Sequence, residues 1–309
     1  SPANFASDFN AFIIQNGHIC TIGSSWAVNG DSKIFVEEGG TLIVEHVING
    51  SAAFDLYAGA TLEVKSPQGI TTSGNTGSIQ VSGIRTYNPA ADYTFSGTVA
   101  QVTGNGVPTT IRNLTINNPA GLTLTNNITV SNNLLIADNA ILNTANRTIN
   151  GNSTGTFTMG SGSVFNINTS FPSNFQTNNI VLNNTSTVNY ISTNAQQVGS
   201  ANYGNLAVSG GNIKTIQGDI RVNNTLTLSN TLLATGAGTE SITISDGATI
   251  VAPGGFSNTK MIVCNGTGNL IKEGNSASDF VMIYPLGTGT VYSPLEVTAM
   301  AATVTETGS

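Results

Sequence analysis

The chain has 309 residues, of which 39% are hydrophobic and only 8% are charged, whereas about 25% of the residues in an average soluble protein carry a charge. A net charge of −7 with 9 basic residues excludes recognition of nucleic acid through a basic surface, which has to neutralise a run of phosphates. So few Glu and Lys residues also exclude a coiled coil or helical bundle, and no apolar run approaches the ~18 residues that a membrane-spanning helix needs.

The N-terminal segment has apolar residues at Phe5, Phe9, Phe12 and Ile13. This spacing predicts one apolar face of a short helix. Repeating β-structures expose strand edges at their ends, and these edges have to be covered. We therefore interpret residues 1–30 as an N-terminal cap and the first coil of the repeat described next, with an irregular extended cap as the alternative.

A repeat of about 20 residues organises the chain. Segments 34–44 and 54–64 share the pattern apolar-x-apolar-x-x-Gly-small-x-apolar-x-apolar, and three further copies follow. The pattern predicts two short strands that flank a corner with positive φ, which glycine adopts freely and asparagine tolerates. The corner residues of the five copies are Gly39, Gly59, Asn139, Gly162 and Gly247.

A longer similarity joins two blocks in the middle of the chain. Residues 113–136 match residues 205–228 at an offset of 92, so a block of several turns occurs twice. Adjacent asparagines recur at the ends of the short strands in this region, as in Asn117-Asn118. Such polar pairs indicate corners, and their stacked amides can form hydrogen bonds from one coil to the next.

Together these patterns predict an all-β fold, a right-handed parallel β-helix (β-solenoid) with end caps. We expect the solenoid over residues 31–271, with aliphatic side chains inside and threonines outside. Residues 272–309 are interpreted as a C-terminal β cap or the start of a following domain or linker, because Pro285 and Pro294 do not suit continued stacking. A β-sandwich array with Asn-rich hairpins is the alternative, which the 20-residue period disfavours.

Catalytic residues are scarce. Many proteins of this fold cleave polysaccharides with carboxylates on neighbouring coils and a nearby Arg, Lys or His. Asp219 and Arg221 stand two residues apart on one strand face, and we interpret them as a surface ion pair rather than a site. His18 and His46 are interpreted as partly exposed residues of the repeat. With no phosphate-loop, nucleophile-elbow or zinc motif, the chain is not expected to be an enzyme.

Metal and disulfide signals are also weak. Glu37, Glu38 and Glu45 form a small acidic group, for which a solvated corner is the preferred interpretation and adventitious calcium binding the alternative. No cofactor is expected. Cys20 and Cys264 lie far apart without metal-ligand spacing, and a single disulfide and two buried free thiols are both compatible with the sequence.

Outward-facing threonines and tyrosines are the candidates for a binding surface. Threonines in ranks on a flat sheet could match an ordered lattice such as ice or crystalline polysaccharide, although threonine also suits any exposed strand. The threonines in question are Thr115, Thr123, Thr125, Thr129, Thr225 and Thr227. In the hypothesis of a glycan- or ice-binding module, exposed Tyr57, Tyr87 or Tyr203 would add to the threonine faces.

Several phrases of the chain resemble repeats in large surface proteins of Bacteroidota. They include Tyr93-Thr94-Phe95-Ser96-Gly97, Ala100-Gln101-Val102-Thr103-Gly104, Ala195-Gln196-Gln197-Val198-Gly199 and Tyr284-Pro285-Leu286-Gly287-Thr288-Gly289. The resemblance covers about residues 70 to 298 and implies a repeat-containing, adhesin-like protein of the kind exported by the type IX secretion system. It therefore implies an extracellular or cell-surface location.

We accordingly expect a secreted or cell-surface structural or adhesive rod without catalysis, which could assemble with itself end to end or laterally. The expected partners are other copies of the chain, glycans or other cell-surface components, without nucleic acid or membrane insertion. One alternative is a β-helix protein that binds or degrades polysaccharide. A further alternative is a protein that binds ice or a glycan lattice through its threonine faces.

Overall fold

The computed structural model describes residues 10–274 and 280–300. It shows an all-β chain whose parallel sheets stack as a β-solenoid of about 11 turns, so the predicted parallel β-solenoid is confirmed. Within the described residues the only helix is a 3-10 turn, Thr177–Asn179. The chain divides into two compact units, Ser1–Ser186 and Thr187–Ser309, which are described in turn.

The first unit contains short strands of two to four residues. In chain order they are β1 (Ala11–Ile14), β2 (Ile19–Ile22), β3 (Trp26–Val28), β4 (Lys33–Val36), β5 (Thr41–Val44), β6 (Ile48–Gly50), β7 (Ala53–Leu56), β8 (Thr61–Val64), β9 (Arg85–Tyr87), β10 (Asp92–Phe95), β11 (Gln101–Val102), β12 (Thr110–Ile111), β13 (Asn113–Ile116), β14 (Leu122–Thr123), β15 (Ile128–Val130), β16 (Leu134–Ile136), β17 (Ile141–Asn143), β18 (Ile149–Asn150), β19 (Phe157–Met159), β20 (Val164–Ile167) and β21 (Ile180–Leu182).

Each coil of the first unit contains up to three short strands, and the equivalent strands of successive coils form one parallel sheet. Each such position in the coil is called a limb. The central limb is a sheet of eight parallel strands, β2-β5-β8-β10-β13-β16-β19-β21. The limb before it consists of β1-β4-β7-β9 and, in later coils, β12-β15-β18. The limb after it begins with β3-β6 and later contains β11-β14-β17-β20. Lys33 pairs with Ala53, and Leu114 with Leu134, so the register reproduces the 20-residue repeat of the sequence.

The core consists of columns of inward-facing apolar side chains. Leu42, Leu62, Tyr93 and Leu114 stack in register along the central limb, and each is at most 1% exposed. Alternate residues of the same strands are half-buried or exposed, as the pleat of a strand requires. Burial of each such aliphatic or aromatic side chain contributes about 1.5–3 kcal/mol, so the columns supply much of the driving force for stacking.

The predicted corner geometry is confirmed. The φ angles are 72° at Gly39, 76° at Gly59, 59° at Asn139, 65° at Gly162 and 75° at Gly247. All five lie in the left-handed region, where residues with a β-carbon other than asparagine are disfavoured. The corners also bond from coil to coil, because the N–H of Gly39 donates to the carbonyl of Gly59 at 3.1 Å.

The predicted N-terminal helix is wrong for Phe12 and Ile13, which lie in strand β1. Phe5 and Phe9 lie outside the described residues. In β1, Phe12 pairs with Ile34 of β4, and its ring meets the ring of Trp26 edge-on at 4.9 Å between centroids. Pairing with the next coil therefore overrides the helical spacing of the apolar residues.

An excursion from the regular coil separates β8 from β9. Phe54 pairs with Arg85, 31 residues later instead of 20. The buried Arg85 side chain holds the excursion together, since its Nε donates to the carbonyl of Val81 at 2.8 Å and its Nη1 to the carbonyl of Thr71 at 3.1 Å. The Tyr87 hydroxyl donates to the same Thr71 carbonyl at 3.2 Å.

The second unit repeats the three-limbed plan. Its strands are β22 (Thr187–Tyr190), β23 (Gln196–Val198), β24 (Asn202–Val208), β25 (Ile213–Ile216), β26 (Ile220–Leu228), β27 (Leu232–Ala234), β28 (Ile242–Ile244), β29 (Thr249–Val251), β30 (Ile262–Val263), β31 (Leu270–Lys272), β32 (Phe280–Tyr284) and β33 (Leu295–Ala299). Two strands of its coils, β24 and β26, are longer, with 7 and 9 residues. The start of β26 pairs with β28 and its end pairs with β29, so one strand supplies two limbs. Strands β32 and β33 pair antiparallel, unlike the strands of the coils.

Candidate functional surface

The predicted ion pair between Asp219 and Arg221 does not form. The Arg221 guanidinium instead pairs with Glu273, 52 residues later, with 2.6 Å between Nη1 and Oε2. The carboxylate of Asp219 accepts a hydrogen bond from the backbone N–H of Ser241 at 2.8 Å. The Glu273 partner holds the pKa of Arg221 above its usual value and Arg221 holds the pKa of Glu273 below its usual value, so both groups are charged at neutral pH.

The acidic residues near the N-terminal coils do not form one cluster. Glu37 and Glu38 precede the corner at Gly39, whereas Glu45 follows β5 and pairs with Lys65 at 2.5 Å. This ion pair lowers the pKa of Glu45. Across residues 10–274 and 280–300, no three His, Cys, Asp or Glu side chains lie close enough together to hold a metal ion.

The six threonines do not form one rank. Thr115, Thr123 and Thr129 lie in β13, β14 and β15, which belong to three different limbs of the first unit. Thr125 lies outside any strand and donates from its hydroxyl to the carbonyl of Gly104 at 2.8 Å. Thr225 and Thr227 lie in β26 of the second unit.

Neighbouring coils also interrupt the threonine pattern. Thr115 pairs with Thr94 on one side but with Leu135 on the other, and Thr123 pairs with Val102 and Asn143. A flat array of threonines at a constant spacing is therefore not present along these two strands.

Of the three tyrosines expected at the surface, only Tyr57 is exposed, with 45% of its surface accessible. The expectation is wrong for Tyr87 and Tyr203, which are buried. The Tyr203 hydroxyl donates to the carbonyl of Gly199 at 2.5 Å and lies 3.0 Å from the Tyr190 hydroxyl. Burial is tolerated because each phenol finds a polar partner inside the fold.

Tyr57 stacks on a half-buried phenylalanine, Phe35, on the outer side of the first limb. Its ring lies 5.8 Å from the ring of Phe35, centroid to centroid, with 12° between the planes. The ammonium of Lys33 lies 6.0 Å from the centroid of the Phe35 ring. Asp55 stands opposite Phe35 in the next coil. These four residues, Lys33, Phe35, Asp55 and Tyr57, are called the aromatic patch below.

Much of the remaining polar surface is occupied by hydrogen bonds between coils. Arg112 binds both carboxylate oxygens of Asp92 at 2.7 Å. The amide of Asn113 donates to Asp92 at 2.8 Å, and the amide of Asn132 donates to Asn113 at 2.9 Å. The coil-to-coil bonding of asparagine amides predicted from the sequence is therefore confirmed for Asn113 and Asn132.

Two buried glutamines, Gln101 and Gln196, make the same contact in the two units. Gln101 accepts a hydrogen bond from the N–H of Gly97 at 2.7 Å, and Gln196 accepts one from the N–H of Ser192 at 3.3 Å. Each glutamine thus binds the backbone four residues before it. In both blocks the clamp glutamine directly follows an alanine, Ala100 or Ala195, whereas the neighbouring Gln197 is exposed. The inward orientation of Gln101 and Gln196 was not predicted.

A buried lysine was also missed by the sequence analysis. Lys214 is fully buried, and its ammonium donates to the carbonyls of Ser192, Asn194 and Gly211 at 2.6, 2.9 and 3.2 Å. Burial lowers the pKa of this ammonium. Three carbonyls that converge on one charged group hold two corners of the second unit together.

A groove of 560 Å³ lies in the second unit. Its apolar lining includes Ile250 and Phe256, and its charged lining includes Asp246, Lys272 and Glu273. The Lys272 ammonium donates to the carbonyl of Ala248 at 2.8 Å, and Glu273 is paired with Arg221 as described above. Two of the charged side chains that line the groove, Lys272 and Glu273, are therefore already engaged in contacts within the chain.

Both cysteines are free thiols, and neither is fully buried, since Cys20 is half-buried and Cys264 exposed. Partial desolvation raises the pKa of each thiol. No helix among the described residues is long and apolar enough to cross a membrane. Comparisons of the chain with protein-family models, with curated proteins and with solved structures gave no match.

Proposed function

We propose that this chain is a secreted or cell-surface structural and adhesive β-solenoid that does not catalyse a reaction. The observation that supports the proposal most is the use of its polar surface. Asp92, Arg112, Asn113 and Asn132 bond to one another across coils instead of converging on a cavity. Such bonds tie each coil to its neighbours, which suits a protein that bears load or spaces other components.

The location is tested with antibodies against the purified chain, applied to intact and permeabilised cells that produce it. A surface protein labels intact cells, and the label is lost after brief protease treatment of those cells. Labelling that requires permeabilisation would contradict the surface role.

Catalysis is tested by incubating the purified protein with pectin, alginate and related glycans and measuring new reducing ends or unsaturated products. We expect no turnover above the heat-treated sample. Turnover that disappears in Asp219→Ala but persists in Asp138→Ala would overturn the proposal in favour of a polysaccharide-degrading enzyme. Asp138 is the matched control, because both residues are exposed aspartates of the coils.

A further inference from the structure

The aromatic patch is not required by the core. In β4 and β7 the inward positions include Ile34 and Leu56, which are at most 1% exposed. Phe35 occupies an outward, half-buried position of β4, and Tyr57, which directly follows β7, is exposed. An outward position of a solenoid strand needs only a residue that tolerates water. The Tyr57 ring, stacked on the half-buried Phe35, exposes apolar surface at a cost in solvation, and exposed apolar surface of this kind marks interaction sites.

The surroundings of the two rings combine one apolar and two charged side chains. Ile13 of β1 pairs with Phe35 and is 45% exposed. Lys33 provides a cation beside the Phe35 ring, and Asp55 provides a carboxylate in register with Phe35. The Tyr57 hydroxyl can donate and accept a hydrogen bond. The patch therefore combines a flat apolar surface with one donor group, one acceptor group and one group that does both.

This combination matches the chemistry of a pyranose ring. The C–H groups on one side of a sugar ring carry a slight positive charge and stack on the negative face of an aromatic ring, while the hydroxyls at its edge need donors and acceptors. An uncharged polymer fits better than a polyanion, because the chain carries a net charge of −7 and repels anions.

We propose that the aromatic patch binds uncharged polysaccharide, with sugar rings stacked on Tyr57 and Phe35 and hydroxyls bonded to Lys33 and Asp55. The proposal rests on the adhesive part of the function proposed above and names its ligand class. It assigns the binding to the first limb of the first unit rather than to the threonines.

Affinity electrophoresis in native gels tests the proposal, because an uncharged polymer in the gel slows only proteins that bind it. The gels contain hydroxyethylcellulose, arabinoxylan or galactomannan, and a parallel gel contains polygalacturonate. We expect at least one neutral polymer to retard the wild-type protein and polygalacturonate to have no effect. Failure of all three neutral polymers would overturn the proposal.

Variants assign the binding to the patch. We expect Tyr57→Leu and Phe35→Leu to weaken binding about tenfold each, because both keep apolar area but lose the ring. Tyr57→Phe should keep most of the binding. The matched control is Ile84→Ala, which removes a 78% exposed apolar side chain near the same limb. Retardation that is equal in Tyr57→Leu and in the wild type would contradict the assignment.

Two further measurements separate the outcomes. Thermal unfolding of each variant shows whether a loss of retardation reflects a loss of folding, and Tyr57→Phe provides a folded comparison. Sedimentation velocity detects self-association of the protein. If substitutions in the aromatic patch change self-association but leave retardation in the gel unchanged, the patch is a protein contact, and the glycan proposal is overturned. A chain that labels intact cells but binds no neutral polymer rejects this site without rejecting the surface role.

Discussion

Lys214 illustrates how a single residue departs from the repeat. It occupies an inward position of β25, between Gln196 of β23 and Leu233 of β27. An apolar residue would continue the column, but the three carbonyls around the ammonium compensate for the loss of water. The side chain therefore closes a corner that the backbone alone leaves with unpaired acceptors.

Replacing Lys214 with methionine should destabilise the protein by about 2 kcal/mol, because three buried carbonyls lose their donor. Urea unfolding followed by circular dichroism measures the change. Lys260→Met is the matched control, since the Lys260 ammonium binds one carbonyl, that of Pro253, at the surface. Equal losses of stability in the two variants would contradict the role of the buried ammonium.

The Tyr190–Tyr203 pair makes stability sensitive to alkaline pH. Burial raises the pKa of both phenols above the ordinary value of 10.0. The unfolded chain therefore releases these protons above pH 10 while the folded chain retains them, so stability is full below pH 10 and falls as the pH rises further. Each tyrosine contributes a loss of about 1.4 kcal/mol per pH unit.

Urea midpoints between pH 8 and 11 test this expectation. Tyr203→Phe should lower the free energy of unfolding at pH 8, because it removes the hydrogen bond to Gly199. Above pH 10 the free energy of unfolding should fall less steeply with pH than in the wild type, because unfolding then releases about one proton fewer. An unchanged slope in this variant would show that other groups control the alkaline loss.

At the scale of elements, the corners decide where a limb ends. Some corners need glycine for φ alone, whereas others also need the absence of a β-carbon. A β-carbon on Gly247 would meet no atom within 4 Å, but one on Gly104 would lie 2.1 Å from the carbonyl oxygen of Ile70. Both residues have positive φ, 75° and 79°.

We therefore expect Gly247→Ala to cost about 1 kcal/mol, which is the strain of the left-handed conformation. Gly104→Ala should cost at least twice as much, because the backbone of the neighbouring coil has to move as well. Thermal unfolding of the two variants measures the difference. Equal costs would mean that the coils shift apart easily.

The glutamine clamp connects three coils, because Gln101 also accepts a hydrogen bond from the side-chain amide of Asn118 in the next coil at 2.8 Å. Gln101 accepts from Gly97 and donates to the carbonyls of Val64 and Ser66 at 3.1 and 3.0 Å. We expect Gln101→Leu to destabilise the protein by about 2–3 kcal/mol, since it leaves these buried groups unpaired. Gln197→Leu, at an exposed position of β23, is the control and should change stability by less than about 0.5 kcal/mol. Denaturant midpoints of both variants decide the matter.

At the scale of the whole molecule, stability should vary along each unit, because a coil in the middle has neighbours on both sides. β10 pairs with β8 and with β13, whereas β2 pairs only with β5 among the described strands, and Ile19 in β2 is 71% exposed. Pairing on both sides protects the amides of β10 from exchange with solvent.

Hydrogen exchange measured by mass spectrometry should therefore show slower exchange for peptides that cover β10 than for peptides that cover β2. The comparison within one protein removes differences in pH and temperature. Equal protection of both strands would indicate that a further element covers β2 in solution.

The sequence by itself determined the strand pattern, the 20-residue coil and the corners. A stacked coil has to present an apolar residue at the same inward positions in every turn, and a tight corner accepts few residue types. Both constraints therefore make apolar residues and corner residues recur in the sequence at the length of one coil. Gly39, Gly59 and Asn139 could be identified because each constraint is local. The charge and composition likewise excluded a nucleic-acid surface before any fold was known.

Only the tertiary structure decided which polar and aromatic side chains turn inward and which partners they meet. Arg221 finds Glu273 at a separation of 52 residues, and the strand pattern around Lys214 does not reveal the carbonyls that receive its ammonium. Tyr203 in β24 is buried, whereas Tyr57, directly after β7, is exposed, and both were expected at the surface. Such choices depend on what neighbouring coils place beside a residue, and the physical reason is that a buried polar group is stable only where distant parts of the chain supply its hydrogen-bond partners.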